Sequence, residues 1–212
     1  AREQLLSACD HFTEEPWAVL RLTLTRGAGP RGYASPEYVV PRVIITSAAL
    51  QQNRSELSDP VTLGWSDIAW SIQPLLAGIK HLNRLEQVLA ANQARSLGVD
   101  DVVMLDANGL VCSLSAANIF IVTNGQLQTP ALNQTGIAGT RRRLVIEQLA
   151  PALGLEVLQQ EVHAQQLVEA QELFCCNAIR GLQPVGRLGE RQWQAHPVCT
   201  ALHAQYIQAM GT

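Results

Sequence analysis

Lys80 is the only lysine among the 212 residues; apart from five histidines, every other basic side chain is arginine. A guanidinium does not lose its proton in a protein, so arginine cannot serve as an amine nucleophile or base. Side-chain amine chemistry therefore has one candidate here, and it stands in Ala77-Gly78-Ile79-Lys80-His81-Leu82-Asn83-Arg84-Leu85. A solvated lysine at a helix start would read the same in that stretch alone. A second stretch, Gln134-Thr135-Gly136-Ile137-Ala138-Gly139-Thr140-Arg141, places glycines just ahead of a helical run. Converging amides and the helix dipole suit a phosphate there, with the Thr140 hydroxyl as a further donor, although helix starts in general share this composition. A third, Arg26-Gly27-Ala28-Gly29-Pro30-Arg31-Gly32-Tyr33, could offer a guanidinium fork to a carboxylate, or be a solvated hairpin tip. His163, His196 and His203 form no metal-binding spacing, and Ser113 and Ser115 lack the frame of a hydrolase nucleophile.

The elements that must position these residues follow from periodicity. Residues 2–12 read as a helix, Trp17 to Thr25 alternates as a strand, and Pro41 to Ser47 and Val61 to Trp65 are β-rich. Leu82, Leu85, Val88, Leu89 and Asn92 fall on helical spacing, with Gly98 as the stop. Asn108-Gly109 and Asn124-Gly125 lie between apolar runs and predict two hairpins, with positive φ at both turn positions. Helices are expected from Thr140 to Leu153, Gln165 to Ala170 and Val198 to Met210. Strands are expected at Leu155–Val162 and Glu172–Asn177, with irregular β structure at Val185–Trp193. Meandering strands with interspersed helices predict an α+β (mixed α/β) domain with an antiparallel-rich sheet rather than a doubly wound one.

Hydrophobic content of 47% and charged content of 16% fit a well-filled core, and a net charge of -3 gives no reason to expect nucleic acid or an anionic membrane. No apolar run approaches the roughly 18–20 residues needed to span a bilayer, and no signal peptide is visible. Five cysteines without CxxC spacing predict buried, reduced thiols in a cytoplasmic protein.

Taken in order, four blocks resemble the fold-type IV pyridoxal-phosphate enzymes. They are Arg26 to Tyr33; Gly78 to Glu86; Asp106-Ala107-Asn108-Gly109 leading to Ser115-Ala116-Ala117-Asn118-Ile119-Phe120; and Gly136 to Arg141, followed by Cys176-Asn177-Ala178 and Gln183-Pro184-Val185. Within that group, which includes branched-chain and D-amino-acid aminotransferases, the run from Gly78 to Ala90 and the Cys176-Asn177-Ala178 triplet are most similar to aminodeoxychorismate lyases. The resemblance implies residues 1–70 as the remainder of a small N-terminal lobe with its linker, and residues 71–212 as the large cofactor-binding domain. The chain then begins inside the helix that follows the lobe.

The same resemblance implies roles. Lys80 would join pyridoxal 5'-phosphate through its amine and move protons, as a buried lysine with a lowered pKa. Gly139, Thr140 and Arg141 would form the phosphate cup, with Arg142 and Arg143 solvated. Asn177 and Ala178 would face the cofactor or substrate, and Arg31 with Tyr33 and Arg26 would meet a substrate carboxylate. Ser113 stands where relatives usually place a glutamate opposite the pyridine nitrogen. A serine can hydrogen-bond that nitrogen but cannot hold a full positive charge on it, which favours elimination over transamination. The implied reaction converts 4-amino-4-deoxychorismate to 4-aminobenzoate and pyruvate, a step towards folate, in a homodimer acting on a small molecule; the alternatives are an aminotransferase of branched-chain or D-amino acids and a catalytically impaired member of the fold that binds a ligand or partner.

Overall fold

The computed structural model describes residues 17–50 and 55–210. The helix expected over residues 2–12 lies outside them, as does Cys9. The chain divides into two compact units, Ala1–Arg54 and Ser55–Thr212.

In the first unit, β1 (Ala18–Thr25) and β2 (Arg42–Ala49) form an antiparallel hairpin in register from Ala18↔Ala49 to Thr25↔Arg42. Its long loop carries Arg26, Arg31 and Tyr33. Gly27 closes the loop base: it has φ +89°, and a Cβ there would stand 2.0 Å from the Val40 carbonyl oxygen, so no other residue fits.

The second unit is built on one mixed sheet in the order β5-β4-β3-β10-β9-β6-β7-β8, with β11 attached to β10. The strands are β3 (Val61–Trp65), β4 (Asp101–Leu105), β5 (Val111–Leu114), β6 (Asn118–Thr123), β7 (Gln126–Pro130), β8 (Val157–Gln160), β9 (Glu172–Asn177), β10 (Gly181–Leu188) and β11 (Arg191–Gln192). Four helices accompany them: α1 (Leu85–Leu97), α2 (starting at Thr140–Leu144), α3 (Ala164–Glu169) and α4 (Pro197–Met210). Most strand pairs are antiparallel, while β3 pairs in parallel with both β10 and β4, and β7 with β8. β10 joins the two halves. Its Gly181–Pro184 segment pairs antiparallel with β9, and from Val185 onward it pairs with β3 across a register shift at Gly186. Pro184 cannot donate to a ladder, so the strand changes partner where its own hydrogen bonding is weakest.

β3 therefore belongs to the centre of the large sheet. The sequence division at residue 70 separates it from that sheet, whereas the compact unit begins at Ser55. A five-residue strand carries no local sign of its partners, which lie about 40 and 120 residues away in sequence.

Three buried clusters hold this unit. One packs Val103, Leu114, Ile121, Leu173 and Val185. A second lies beneath α2 and α4, where the Phe120 and Phe174 rings stack at 4.9 Å. The third joins Trp70, Val102, Met104 and Cys112 to α1. The apolar residues that signal α1 are not the ones it buries. Gln87, Ala90 and Ala94 face inward, while Leu85, Val88 and Leu89 are each more than half exposed. Gly98 ends the helix in the left-handed conformation, as its position predicts.

The two hairpins differ from one another. Asn124 (φ 50°) and Gly125 (φ 75°) both take positive φ, matching the type I′ expectation. At the first, only Gly109 does so, and the expectation for Asn108 is corrected. Asp106 is the reason: its carboxylate accepts from the Asn108 and Leu110 amides while its carbonyl accepts from Gly109. That Asx arrangement lets Asn108 keep negative φ. α2 is continuous through a π-helical turn (Val145–Leu149) to Ala152, and Gly154 follows with φ 70°.

Candidate active site

Lys80 lies in a loop that leaves the sheet at Trp70 and returns at α1. The loop neck is closed twice. Glu86, in the first turn of α1, accepts from both the amide and the hydroxyl of Ser71. The Arg84 guanidinium lies 5.8 Å from the centroid of the buried Trp70 ring. Around Lys80 itself, the His81 amide bonds to the Ile79 carbonyl at 3.0 Å, making a three-residue turn centred on the lysine. Arg84 spans that turn, donating from Nη2 to the Ile79 carbonyl at 2.8 Å and from Nε to the His81 carbonyl at 2.9 Å. Burial, and next the Arg84 charge, lower the His81 pKa; its buried Nδ1 has no partner, as a neutral ring allows. Lys80 is exposed in this chain, so the burial expected of it is not supplied by the residues described.

The glycine-rich stretch runs beside this loop. The Gly78 amide donates to the Gly136 carbonyl at 3.1 Å, and the Ala138 amide donates back to the Gly78 carbonyl at 3.0 Å. Only Ile79 separates Gly78 from Lys80, and Ala138 leads directly to Gly139, the N-cap of α2. The first intrahelical bond of α2 runs from the Arg143 amide to the Gly139 carbonyl. The amides of Thr140, Arg141 and Arg142 are thus the donors that any helix start leaves without an intrahelical acceptor.

Asn118, at the start of β6, ties the cup to the sheet. Its Nδ2 donates to the Ile137 carbonyl at 2.9 Å, and its Oδ1 faces Gly139 so closely that a Cβ there would stand 2.3 Å away. Glycine is needed for that close approach, since φ -63° and ψ 143° would suit any residue. Asn118 also pairs with Cys176 across β6 and β9, which brings in Asn177 at the end of β9. Asn177 Nδ2 donates to the Ala116 carbonyl at 3.2 Å, and its Oδ1 accepts from the Ile179 and Arg180 amides, shaping the turn that exposes Ala178. On β5, Cys112 Sγ lies 2.9 Å from Thr135 Oγ1, and burial pushes its thiol up to about 12. Ser113 is buried, and its hydroxyl donates to the Leu114 carbonyl.

The second unit therefore links the Lys80 loop, the Gly136–Thr140 turn, Ser113's strand and the Asn177 turn through consecutive hydrogen bonds. Arg26, Arg31 and Tyr33 belong to the other unit; all three are exposed, and Arg26 Nη1 donates to Ser35 Oγ at 2.7 Å. A cavity of about 490 Å³ is lined by Trp70, Leu82, Arg84, Glu86 and Thr135 among others, but not by Lys80 or the α2 start.

The three consecutive arginines separate. Arg141 lays its guanidinium 4.2 Å from the Tyr206 ring centroid, with a buried Nε that has no hydrogen-bond partner, so its charge is directed at that ring. Arg142, expected to be solvated, is buried instead: its Nη2 donates to the Pro130 carbonyl and to Gln159 Oε1. Arg143 is exposed, at 4.0 Å from Glu147. A helical turn points successive residues about 100° apart, so three identical neighbours must meet three environments, and no local signal tells them apart. Asn118, Arg84 and Trp70 carry weight that sequence reasoning does not assign them. The fit to a phosphate-bearing aldehyde cofactor is good on chemistry: one amine, a helix start with open amides, and a glycine where a Cβ would close the approach.

Among the described residues, no group of three His, Cys, Asp or Glu side chains could hold a metal, and no helix is long and apolar enough to cross a membrane. The four described cysteines (112, 175, 176 and 199) are free and buried, as expected.

Known proteins resemble this chain over most of its length. An aminodeoxychorismate lyase of Vibrio harveyi is 34% identical over 169 residues, covering 79% of this chain and 62% of that protein. A Methanocaldococcus jannaschii protein provisionally named a branched-chain-amino-acid aminotransferase is 32% identical over 182 residues, 82% of this chain and 60% of its own. The chain thus spans about three-fifths of the length of these relatives. The crystal structure of 4-amino-4-deoxychorismate lyase from Pseudomonas aeruginosa superposes with a TM-score of 0.89 at 33% identity, covering 100% of this chain and 77% of that one. The family model for amino-transferase class IV matches residues 1–188. The chain belongs to the amino-transferase class IV family, with the α+β architecture of the fold-type IV enzymes.

Proposed function

We propose that this chain is part of a pyridoxal-phosphate-dependent lyase that converts 4-amino-4-deoxychorismate to 4-aminobenzoate and pyruvate, a carbon–oxygen bond cleavage serving folate synthesis. The observation that supports the reading is the backbone pairing of Gly78 with Gly136 and Ala138, which joins the loop bearing Lys80 to the turn that leads into α2. Similarity to lyases over most of the chain, in sequence and in fold, supports the choice of reaction.

Pyridoxal phosphate, when bound, supplies an electron sink at the carbon bearing the substrate amine. The rest belongs to the chain. Lys80 would hold the cofactor by its amine, and that amine would take the proton from the amine-bearing ring carbon. The Thr140 and Arg141 amides and the Thr140 hydroxyl hold the phosphate, with Gly139 leaving room for the approach. Asn177 and Ala178 line the cofactor or substrate. Arg31, with Tyr33 and Arg26, holds a substrate carboxylate. The enolpyruvyl oxygen leaves, the ring becomes aromatic, and a proton returned to the methylene carbon completes pyruvate, so no co-reactant is consumed.

Ser113 supports elimination. A hydroxyl cannot hold a full positive charge on a partner nitrogen; in this chain it donates to the Leu114 carbonyl, so a bond to a neutral nitrogen requires the hydroxyl to turn. The exposed apolar face formed by Leu82, Leu85, Val88 and Leu89 supports a homodimer. The cysteine state supports a cytoplasmic setting.

A second reading, a branched-chain aminotransferase, is favoured by the similarity to the M. jannaschii protein. The full-length protein loaded with pyridoxal phosphate should release 4-aminobenzoate and pyruvate in equal amounts from 4-amino-4-deoxychorismate. Conversion of the cofactor to its amine form by branched-chain amino acids, with no 4-aminobenzoate, would select the aminotransferase instead.

A further inference from the structure

In this chain Leu75, Ile79, Leu82 and Leu85 are all more than half exposed. The backbone turn that carries Lys80 is shaped by hydrogen bonds. On the N-terminal side, Gly78 is fastened to Gly136 and Ala138. Across the lysine itself, the His81 amide bonds to the Ile79 carbonyl, closing a three-residue turn.

Arg84 restrains that turn from the side-chain direction. Its Nη2 and Nε reach the carbonyls of Ile79 and His81, the residues on either side of Lys80, at 2.8 and 2.9 Å. Its guanidinium rests on Trp70, whose ring is buried against Met104 and Cys112 and whose amide donates to the Leu105 carbonyl at 2.8 Å. The turn is thereby referenced to the sheet. The placement is costly in local terms. Arg84 is the N-cap of α1, where Ser, Thr, Asp or Asn would bond the open amides and where a cation opposes the helix dipole; no side-chain cap is present. An arginine at that position does nothing for the helix, but its rigid fork is the one side-chain shape that can span two carbonyls two residues apart.

We propose that Arg84 is the positioning residue of Lys80, its guanidinium locking the turn and hence the direction in which the lysine amine projects. The inference rests on the assignment of Lys80 given above, but the lock itself can be measured without cofactor.

The test uses the full-length protein with Arg84→Ala and Arg84→Gln. Amide hydrogen exchange without cofactor should accelerate at least about tenfold across residues 78–82 in both variants, while residues 90–97 of α1 stay unchanged. Loaded with pyridoxal phosphate, both variants should still form the borohydride-stable adduct at Lys80. Their kcat should fall roughly 10- to 100-fold with KM within about threefold, the size expected for a reacting group displaced by about an ångström. Guanidinium chloride at millimolar concentration should restore part of kcat in Arg84→Ala and nothing in Arg84→Gln, where the space is filled. Unchanged exchange at 78–82, loss of protection spreading through α1, or a kcat deficit that guanidinium leaves untouched overturns the proposal. Accelerated exchange in a protein whose unaltered form gives no Lys80 adduct supports the lock and overturns the functional reading alone.

Discussion

Replacing Gly139 by alanine isolates the contact on which the cup depends. The backbone there is extended, so alanine's φ/ψ preference adds no strain, and the loss of unfolded-state freedom should stabilise by about 0.4–1 kcal/mol. Against this, the new Cβ would meet Asn118 Oδ1 at 2.3 Å, about an ångström inside contact distance. Asn118 is buried at the start of β6 and can retreat only by turning about χ1, which breaks its 2.9 Å bond to the Ile137 carbonyl. Leaving that buried pair unsatisfied costs about 1–3 kcal/mol, and an off-rotamer side chain adds about 0.5–1.5 kcal/mol. The net expectation is a loss of about 1–3 kcal/mol, roughly a 1 M fall in the urea midpoint for a slope of about 2 kcal/mol/M. In an Asn118→Ala background the obstacle is gone, and Gly139→Ala should then be neutral or slightly stabilising. Urea titration of the two single variants and the double variant measures the coupling. Additive effects within about 0.5 kcal/mol would refute the claim that Asn118 dictates glycine at 139.

Three further outcomes follow from the buried groups. Arg142→Ala should destabilise by about 2–4 kcal/mol in thermal or urea unfolding, because the Pro130 carbonyl and Gln159 lose a charged donor, whereas Arg143→Ala should change stability by less than about 0.5 kcal/mol. Burial pushes the Cys112 thiol from 9.0 to about 12 and Cys176 to about 12. Their thiolate populations near pH 8 are then about a thousandfold below those of an unfolded chain, and iodoacetamide with peptide mapping should leave both unmodified until the protein is denatured. Because these folded-state values are raised, the stability linked to the thiols is complete below about pH 8.5 and declines as pH rises towards 12, so the urea midpoint should fall between pH 9 and 10.5.

How far the sequence reveals this molecule depends on the range of each interaction. Turn chemistry is local, and the Asn124-Gly125 hairpin and the Gly98 stop are legible from neighbours alone. The Asn108-Gly109 turn departs because Asp106, two residues upstream, competes for the amides. α1 is legible as a helix but not in its orientation, because its inward face is Gln87, Ala90 and Ala94 and its apolar face is exposed. β3 has no local mark of its central place, which its pairing with β10 and β4 settles. At the candidate site, the blocks carrying Lys80 and Gly136 to Thr140 are recognisable by residue type. Their joining at Gly78, and the parts played by Asn118 and Arg84, depend on carbonyls that no side-chain pattern reveals.

The central claim is that Lys80 carries the cofactor, and one covalent measurement addresses it most directly. The full-length protein, equilibrated with pyridoxal phosphate and reduced with borohydride, should yield after digestion a phosphopyridoxyl group on the peptide containing Lys80. Lys80→Ala should abolish it together with the visible absorbance of the bound cofactor. Because Lys80 is the only lysine in these 212 residues, the site of labelling is unambiguous within them. Labelling confined to other amines, or visible absorbance that survives Lys80→Ala undiminished, would contradict the account.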